Sequence, residues 1–183
     1  MSRTWTRRHC LTLVAGGVGM TFGGVAFAAD DAGPDERSLQ LYNTHTRETV
    51  SVVFQRGAEY DANAIAALRN VMRDHRNGEA HDIDLGVYDQ LHALAVAANR
   101  EPHFEIISGY RSPASNAKLA AASDGVSEKS LHMSGRAIDM RLKNYSCADL
   151  RDLALAAKRG GVGYYEKSNF VHIDTGRFRT WVG

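Results

Sequence analysis

Two short stretches restrict the fold more than any others: SLHMSGRAID, Ser130 to Asp139, and FVHIDTG, Phe170 to Gly176. They put imidazoles and carboxylates in or beside segments that alternate like β-strands. His132 stands just before one predicted strand, Asp139 inside it and His172 inside another. Ligands so far apart form no local clip, so a site made from them would exist only in a folded domain.

The rest of the chain fits one domain. It has 183 residues, 44% hydrophobic and 23% charged, enough for a real core and unlike a disordered or collagenous polymer. Residues 1–28 stand apart, with a basic start, a glycine-rich apolar stretch and the small-x-small end Ala26-Phe27-Ala28. They read as a cleavable export signal, and the Arg7-Arg8 pair before the apolar stretch makes it twin-arginine-like. Residues 29–37 read as a short tether and 38–183 as the domain. The expected location is the periplasm or cell envelope, with no integral membrane segment in the mature form.

Cleavage removes Arg3, Arg7 and Arg8 and no acid, which leaves 19 basic residues against 21 acidic ones, a net charge of −2. The remaining cations are dispersed among acids, so nucleic acid is excluded as a partner. Cys10 leaves with the signal and Cys147 stays alone, so the domain has no internal disulfide. Cys147 reads as a half-buried, inert thiol.

The element pattern predicts an α+β fold with a largely antiparallel sheet and helices packed against it. SLQLYN and TVSVVFQ form a predicted hairpin across THTRE. A helix starts at Asp61 and runs through Ile65, Leu68, Val71 and Met72 toward Arg76, and a second starts at Asp84. His75, His81 and His92, in or between these helices, read as packing or solvated residues. HFEIIS is a predicted strand that leads into the loop with Tyr110 and Arg111. ASNAKLAAA is a short helix and SDGVSEKS a polar connection. RAIDMRL, VGYY and FVHIDT are further strands, with a helix from Cys147 closed by Gly160 and Gly161.

Two histidines and an aspartate suit zinc, with a fourth position open for water. Spacing alone leaves a second reading open, in which His132 caps a loop, Asp139 pairs with Arg141 and His172 is a satisfied strand histidine.

The stretch SLHMSGRAID has the form S-x-H-x-x-G-x-A-x-D, which resembles the zinc signature of the M15 peptidases, a group of D-alanyl-D-alanine carboxypeptidases, dipeptidases and murein endopeptidases. Ser130, His132, Gly135, Ala137 and Asp139 all match. SGYRS upstream and NFVHIDTG downstream are similar to the family's arginine loop and last histidine strand. With the leader and GGVGYY, the whole chain resembles the exported YcbK-like branch.

The resemblance implies one Zn2+ held by His132, Asp139 and His172 in a D-Ala-D-Ala peptidase and hedgehog-like fold. It implies Arg111 as the stabiliser of the developing oxyanion, and Ser130 and Gly135 as supports of the metal loop. Asn169 occupies a position that is acidic in many members, and Phe170 one that is histidine in others. Asp174 is therefore the candidate general base, or else the partner that orients His172, with Glu166 a weaker alternative. Tyr164, Tyr165 and Asn169 are candidates for a substrate groove. The implied activity is zinc-dependent hydrolysis of peptidoglycan cross-links between stem peptides, probed against two alternatives: a carboxypeptidase that trims stem peptides, and a non-catalytic zinc module that binds cell-wall peptides.

Overall fold

Alternating apolar residues on Leu39 and Leu41 and a turn at Thr44–Thr46 produce the expected hairpin, β1 (Glu36–Asn43) and β2 (Thr49–Arg56), followed by the two-residue β3 (Glu59–Tyr60). The structure is a computed structural model that describes residues 35–123 and 126–183. The leader lies outside the described residues, as does most of the tether; Glu36 and Arg37, expected in the tether, are already in β1.

Helix α1 (Ala62–Val71) starts where expected, with the Asp61 carboxylate accepting from the amides of Asn63 and Ala64. It stops five residues short of Arg76. The Met72 carbonyl, needed for another turn, instead accepts from the Tyr110 amide at 2.8 Å, and the chain turns away through Asp74 to Glu79. Helix α2 (Leu85–Ala97) is capped by Asp84, and β4 (His103–Ser108) leads to α3 (Pro113–Ala122) with Ser112 as its cap. A short 3-10 helix (Leu131–Ser134) follows, which the sequence reading had not anticipated. After β5 (Ala137–Leu142), helix α4 (Cys147–Ala157) ends at Lys158 in the left-handed conformation, rather than at Gly160 and Gly161. The chain finishes with β6 (Gly161–Tyr165), β7 (Phe170–Asp174) and β8 (Arg179–Val182); β8 was also unforeseen.

The strands form one sheet in the order β3-β2-β1-β4-β5-β7-β6-β8. It is mostly antiparallel as expected, but β1 runs parallel to β4 and β6 parallel to β8. The α+β class holds, with a mixed sheet.

Period-two alternation gives β5, β6 and β7 two different faces. Ile138, Met140, Leu142, Val162, Val171 and Ile173 join the core with Leu91, Leu94 and Leu150 from α2 and α4. Asp139, His172 and Asp174 occupy alternate positions on the same strands, so they lie on the other face. His75, His81 and His92 pack as expected, His75 stacked on His45 and His81 on Tyr110, with His92 edge-on to Phe54. Cys147 is buried, and burial raises its thiol pKa, which suits an inert side chain.

Candidate metal centre

Strand register builds the site. Asp139 on β5 pairs with His172 on β7, His172 with Gly163 on β6, and Gly163 with Trp181 on β8, so four residues form one row across the sheet. One step along the same face, Ala137 pairs with Asp174, while Gly161 faces Arg179. Large side chains on β8 thus stand opposite glycines on β6. A Cβ at Gly163 would lie 2.5 Å from the Trp181 ring, and one at Gly161 2.4 Å from the Arg179 guanidinium.

His132 enters from the 3-10 helix. That turn closes at Gly135, with φ 65°, where a Cβ would lie 2.0 Å from the Asp82 carbonyl oxygen. Gly135 is thus needed for the loop to seat. Ser130 starts the turn, its carbonyl accepting from the Met133 amide at 3.1 Å, with no capping bond from its hydroxyl.

Three side chains converge. His172 Nδ1 lies 2.8 Å from Asp139 Oδ1 and 3.2 Å from His132 Nε2, and His132 Nε2 lies 3.3 Å from Asp139 Oδ1. All three are buried. Their outer contacts decide where the protons sit. His132 Nδ1 is 2.7 Å from the Gly109 carbonyl oxygen, which can only accept, so the proton is on Nδ1 and Nε2 presents a lone pair. His172 Nε2 is 3.2 Å from Asp174 Oδ2 and Nδ1 2.8 Å from Asp139 Oδ1, so both ring nitrogens face carboxylates; with Nε2–H donating to Asp174, Nδ1 is the nitrogen open to a cation. The inner nitrogens of both rings and the Asp139 carboxylate thus face one point, which a shared proton or a metal cation can occupy.

Electrostatics agree. Burial alone would lower the His172 pKa, but its hydrogen bonds to Asp139 and Asp174 outweigh burial and raise it. Burial would likewise raise the Asp139 pKa, yet His132 and His172 hold it well below the usual carboxylate range. The site favours positive charge, whether a proton or a metal. This donor set, two imidazoles and one carboxylate with room beside them, fits zinc. The alternative pairing of Asp139 with Arg141 is absent: Arg141 reaches the carbonyls of Ser168 and Asn169 and the Glu105 carboxylate instead.

Arg111 flanks the cluster, its NH2 3.7 Å from Asp139 Oδ2. It is buried, held by Asn116 Oδ1 at 3.2 Å, and its Nε has no partner among the described residues. Burial lowers its pKa while Asp139 opposes the fall, and a guanidinium remains charged. The loop that carries it is fixed by Asp74, a fully buried residue the sequence reading passed over. Asp74 accepts from the amides of Ser112 and Arg76 at 2.9 and 3.0 Å. Its burial disfavours charge, but hydrogen bonds from Ser115, Ser112 and Arg76 prevail and bring its pKa down to about 2.

Residues 30–181 match the family described as peptidoglycan L,D-endopeptidase MepK, within the M15 peptidases. The chain belongs to this family. It is 41% identical over 148 residues to the peptidoglycan L,D-endopeptidase MepK of Escherichia coli K12, covering 81% of both chains, and equally similar to the Shigella flexneri protein of that name. A Haemophilus influenzae protein, named as a probable peptidoglycan L,D-endopeptidase MepK, is 34% identical over 151 residues, covering 82% of this chain and 81% of that one. No solved structure matches significantly.

Family membership does not decide which residue moves protons; of the two roles expected for Asp174, its surroundings match that of the partner which orients His172. Its carboxylate lies on the Nε2 side of His172, turned from the point where the three ligands meet. It is fully buried and accepts from the amides of Gly161 and Gly176, each at 2.8 Å, and from Arg179 at 2.6 and 3.1 Å. Burial opposes its charge, but His172, Arg179 and the two amides hold its pKa far below the usual range. A carboxylate so occupied orients His172 and is not placed to take a proton from water at the metal.

The cluster opens into a cleft of about 380 Å3. Tyr165 lines it, but the other two groove candidates do not. Tyr164 points to the core face, with the Arg151 guanidinium over its ring. Asn169 forms the β6–β7 turn with φ 51°, its amide bonded to the Glu166 carbonyl. Glu166 is exposed and outside the cleft lining. Asp139 is the sole carboxylate among the described lining residues. Arg136 is committed to Thr175 and Asp84. The sequence reading missed Trp181 and Arg179. Arg-x-Trp near the end matches Gly-x-Gly in GGVGYY at period two, and that complementarity was the available signal.

Proposed function

We propose that this protein is a zinc-dependent peptidoglycan endopeptidase that hydrolyses L,D-peptide cross-links between stem peptides and acts in the cell envelope. The observation that carries this reading is the meeting of His132, Asp139 and His172 with both outer imidazole protons already committed. The names of the relatives support the substrate, and the twin-arginine-like leader supports export.

Zinc bound by these three ligands supplies an acidified water and a polarised scissile carbonyl. The chain's own residues do the rest. Gly109 and Asp174 hold the two imidazoles in the tautomers that offer lone pairs. Arg111, fixed by Asn116 and the Asp74 strap, offers its positive charge beside the place where a carbonyl oxygen becomes negative. Trp181 packs 5.0 Å from the His172 ring and limits water on that side.

The test combines metal analysis with digestion of purified sacculi. One zinc per chain, soluble muropeptides cut at L,D cross-links, and a periplasmic mature form starting near residue 29 are expected. Metal-loaded protein that retains sacculi without releasing fragments would identify a binding module instead. Release of only terminal residues would identify a carboxypeptidase.

A further inference from the structure

The Tyr165 side chain is not explained by packing alone. It follows Gly163 by two positions on β6, so it lies on the site face and lines the same cleft as His132, Asp139 and His172. Its ring stacks on Phe170 at 4.4 Å, which fixes the plane of the phenol. Its oxygen accepts a hydrogen bond from Trp181 Nε1 at 3.0 Å. Indole N–H can only donate, so the Tyr165 proton must point elsewhere. No acceptor for it is found among the described residues, so the O–H is free to donate to a molecule in the cleft that Tyr165 lines.

The surroundings say what such a donor meets. Trp181, which holds the oxygen, is itself 5.0 Å from the His172 ring, so the hydroxyl belongs to the immediate rim of the ligand cluster. Arg111 lines the same cleft. Arg111 stands at the Asp139 end of the ligand row and Trp181 at the other, so the loop after β4 and the β6 residue that Trp181 contacts each bring a donor to the same cleft.

We propose that Tyr165 is a catalytic residue whose hydroxyl donates a hydrogen bond to the oxygen that gains charge when water adds to the scissile carbonyl. The bond between the water oxygen and carbon forms as the carbonyl π bond breaks, and the electron pair comes to rest on that oxygen. Tyr165 keeps its proton throughout. It works with Arg111, and Trp181 acts through it as a positioning residue. This inference rests on the peptidase reading above.

Two measurements on zinc-loaded full domain test it: steady-state cleavage of a purified cross-linked muropeptide, and binding of a phosphinate dipeptide whose tetrahedral oxygens stand in for the intermediate. Tyr165→Phe retains the ring and its stacking on Phe170. It should retain one zinc, lower kcat by about 100-fold with KM little changed, and weaken phosphinate binding by a similar factor while leaving binding of the cleavage product alone. Trp181→Phe should produce a smaller fall in kcat. A Tyr165→Phe enzyme with kcat within twofold of the parent, or with a change in KM only, overturns the proposal, as does unchanged phosphinate affinity. A parent protein that cleaves nothing overturns the peptidase reading instead, and the phosphinate comparison still reports on Tyr165.

Discussion

The two nitrogens of His172 have different tasks, and the same division recurs at His132. In each ring the outer nitrogen donates to a fixed acceptor, Asp174 or the Gly109 carbonyl, and the inner one faces the Asp139 carboxylate, where a metal would bind. Removing a ligand and removing its orienting partner should therefore have different signatures. His132→Ala or His172→Ala should lose zinc outright by elemental analysis and lose hydrolysis with it. Asp174→Asn can no longer match two amides, a guanidinium and an imidazole with acceptors, and should weaken zinc affinity by about 10- to 100-fold in a competitive chelator titration. An Asp174→Asn protein with full zinc affinity and no turnover would restore the base role. The ligands themselves were legible as letters because imidazoles and carboxylates are rare inside strands that otherwise read as core. The role of Asp174 was not, since period two puts it on the same face as His172 but does not say which ring nitrogen it meets.

Among the elements, β6 is the one whose sequence is least forgiving. Gly161 and Gly163 leave space that Arg179 and Trp181 of β8 fill, and this exchange of small for large lets the last strand hold Asp174 and cover His172. Gly163→Ala forces the indole to move, because the new methyl would sit 2.5 Å from its ring. Overpacking of this kind should cost about 1–3 kcal/mol in a denaturant melt. Trp181 is the sole tryptophan once residues 1–28 are removed, so its fluorescence should shift at the same time. An unshifted spectrum and unchanged melt would mean that β8 yields freely. In the sequence Gly160 and Gly161 looked like the end of α4, because glycine after a helix is so often a cap. Lys158 takes that role with φ 51° and releases the glycines for close approach. Helix α1 ends early for a comparable reason: its apolar period continues to Met72, but the Met72 carbonyl is claimed by Tyr110 from the arginine loop.

For the whole molecule, the metal and the fold are expected to be coupled. Without a disulfide among its described residues, the sheet relies on its core and on what joins β5, β7 and the 3-10 helix at the site. Chelation should lower Tm and added zinc should restore it. The pH dependence has a definite sign. The metal-free pKa of His172 is raised, so at low pH a proton occupies the nitrogen that zinc requires. Zinc affinity should rise with pH until that proton has left and then level off, as read by calorimetry across buffers; a flat profile would contradict the ligand assignment. The amino-acid order by itself determined the α+β class and most strand and helix starts, because caps, period-two alternation and apolar spacing are local properties of the chain; it named His132, Asp139 and His172 as candidate ligands through the resemblance of their motifs to a known family. Only the tertiary structure decided the parallel placement of β8, the premature end of α1, the withdrawal of Tyr164 and Asn169 from the cleft, and the contacts of Asp74, Asp174, Tyr165 and Trp181. Those depend on which distant backbone group or side chain occupies each remaining hydrogen-bonding position and each gap above a glycine, and no local pattern encodes the identity of a partner contributed by another strand.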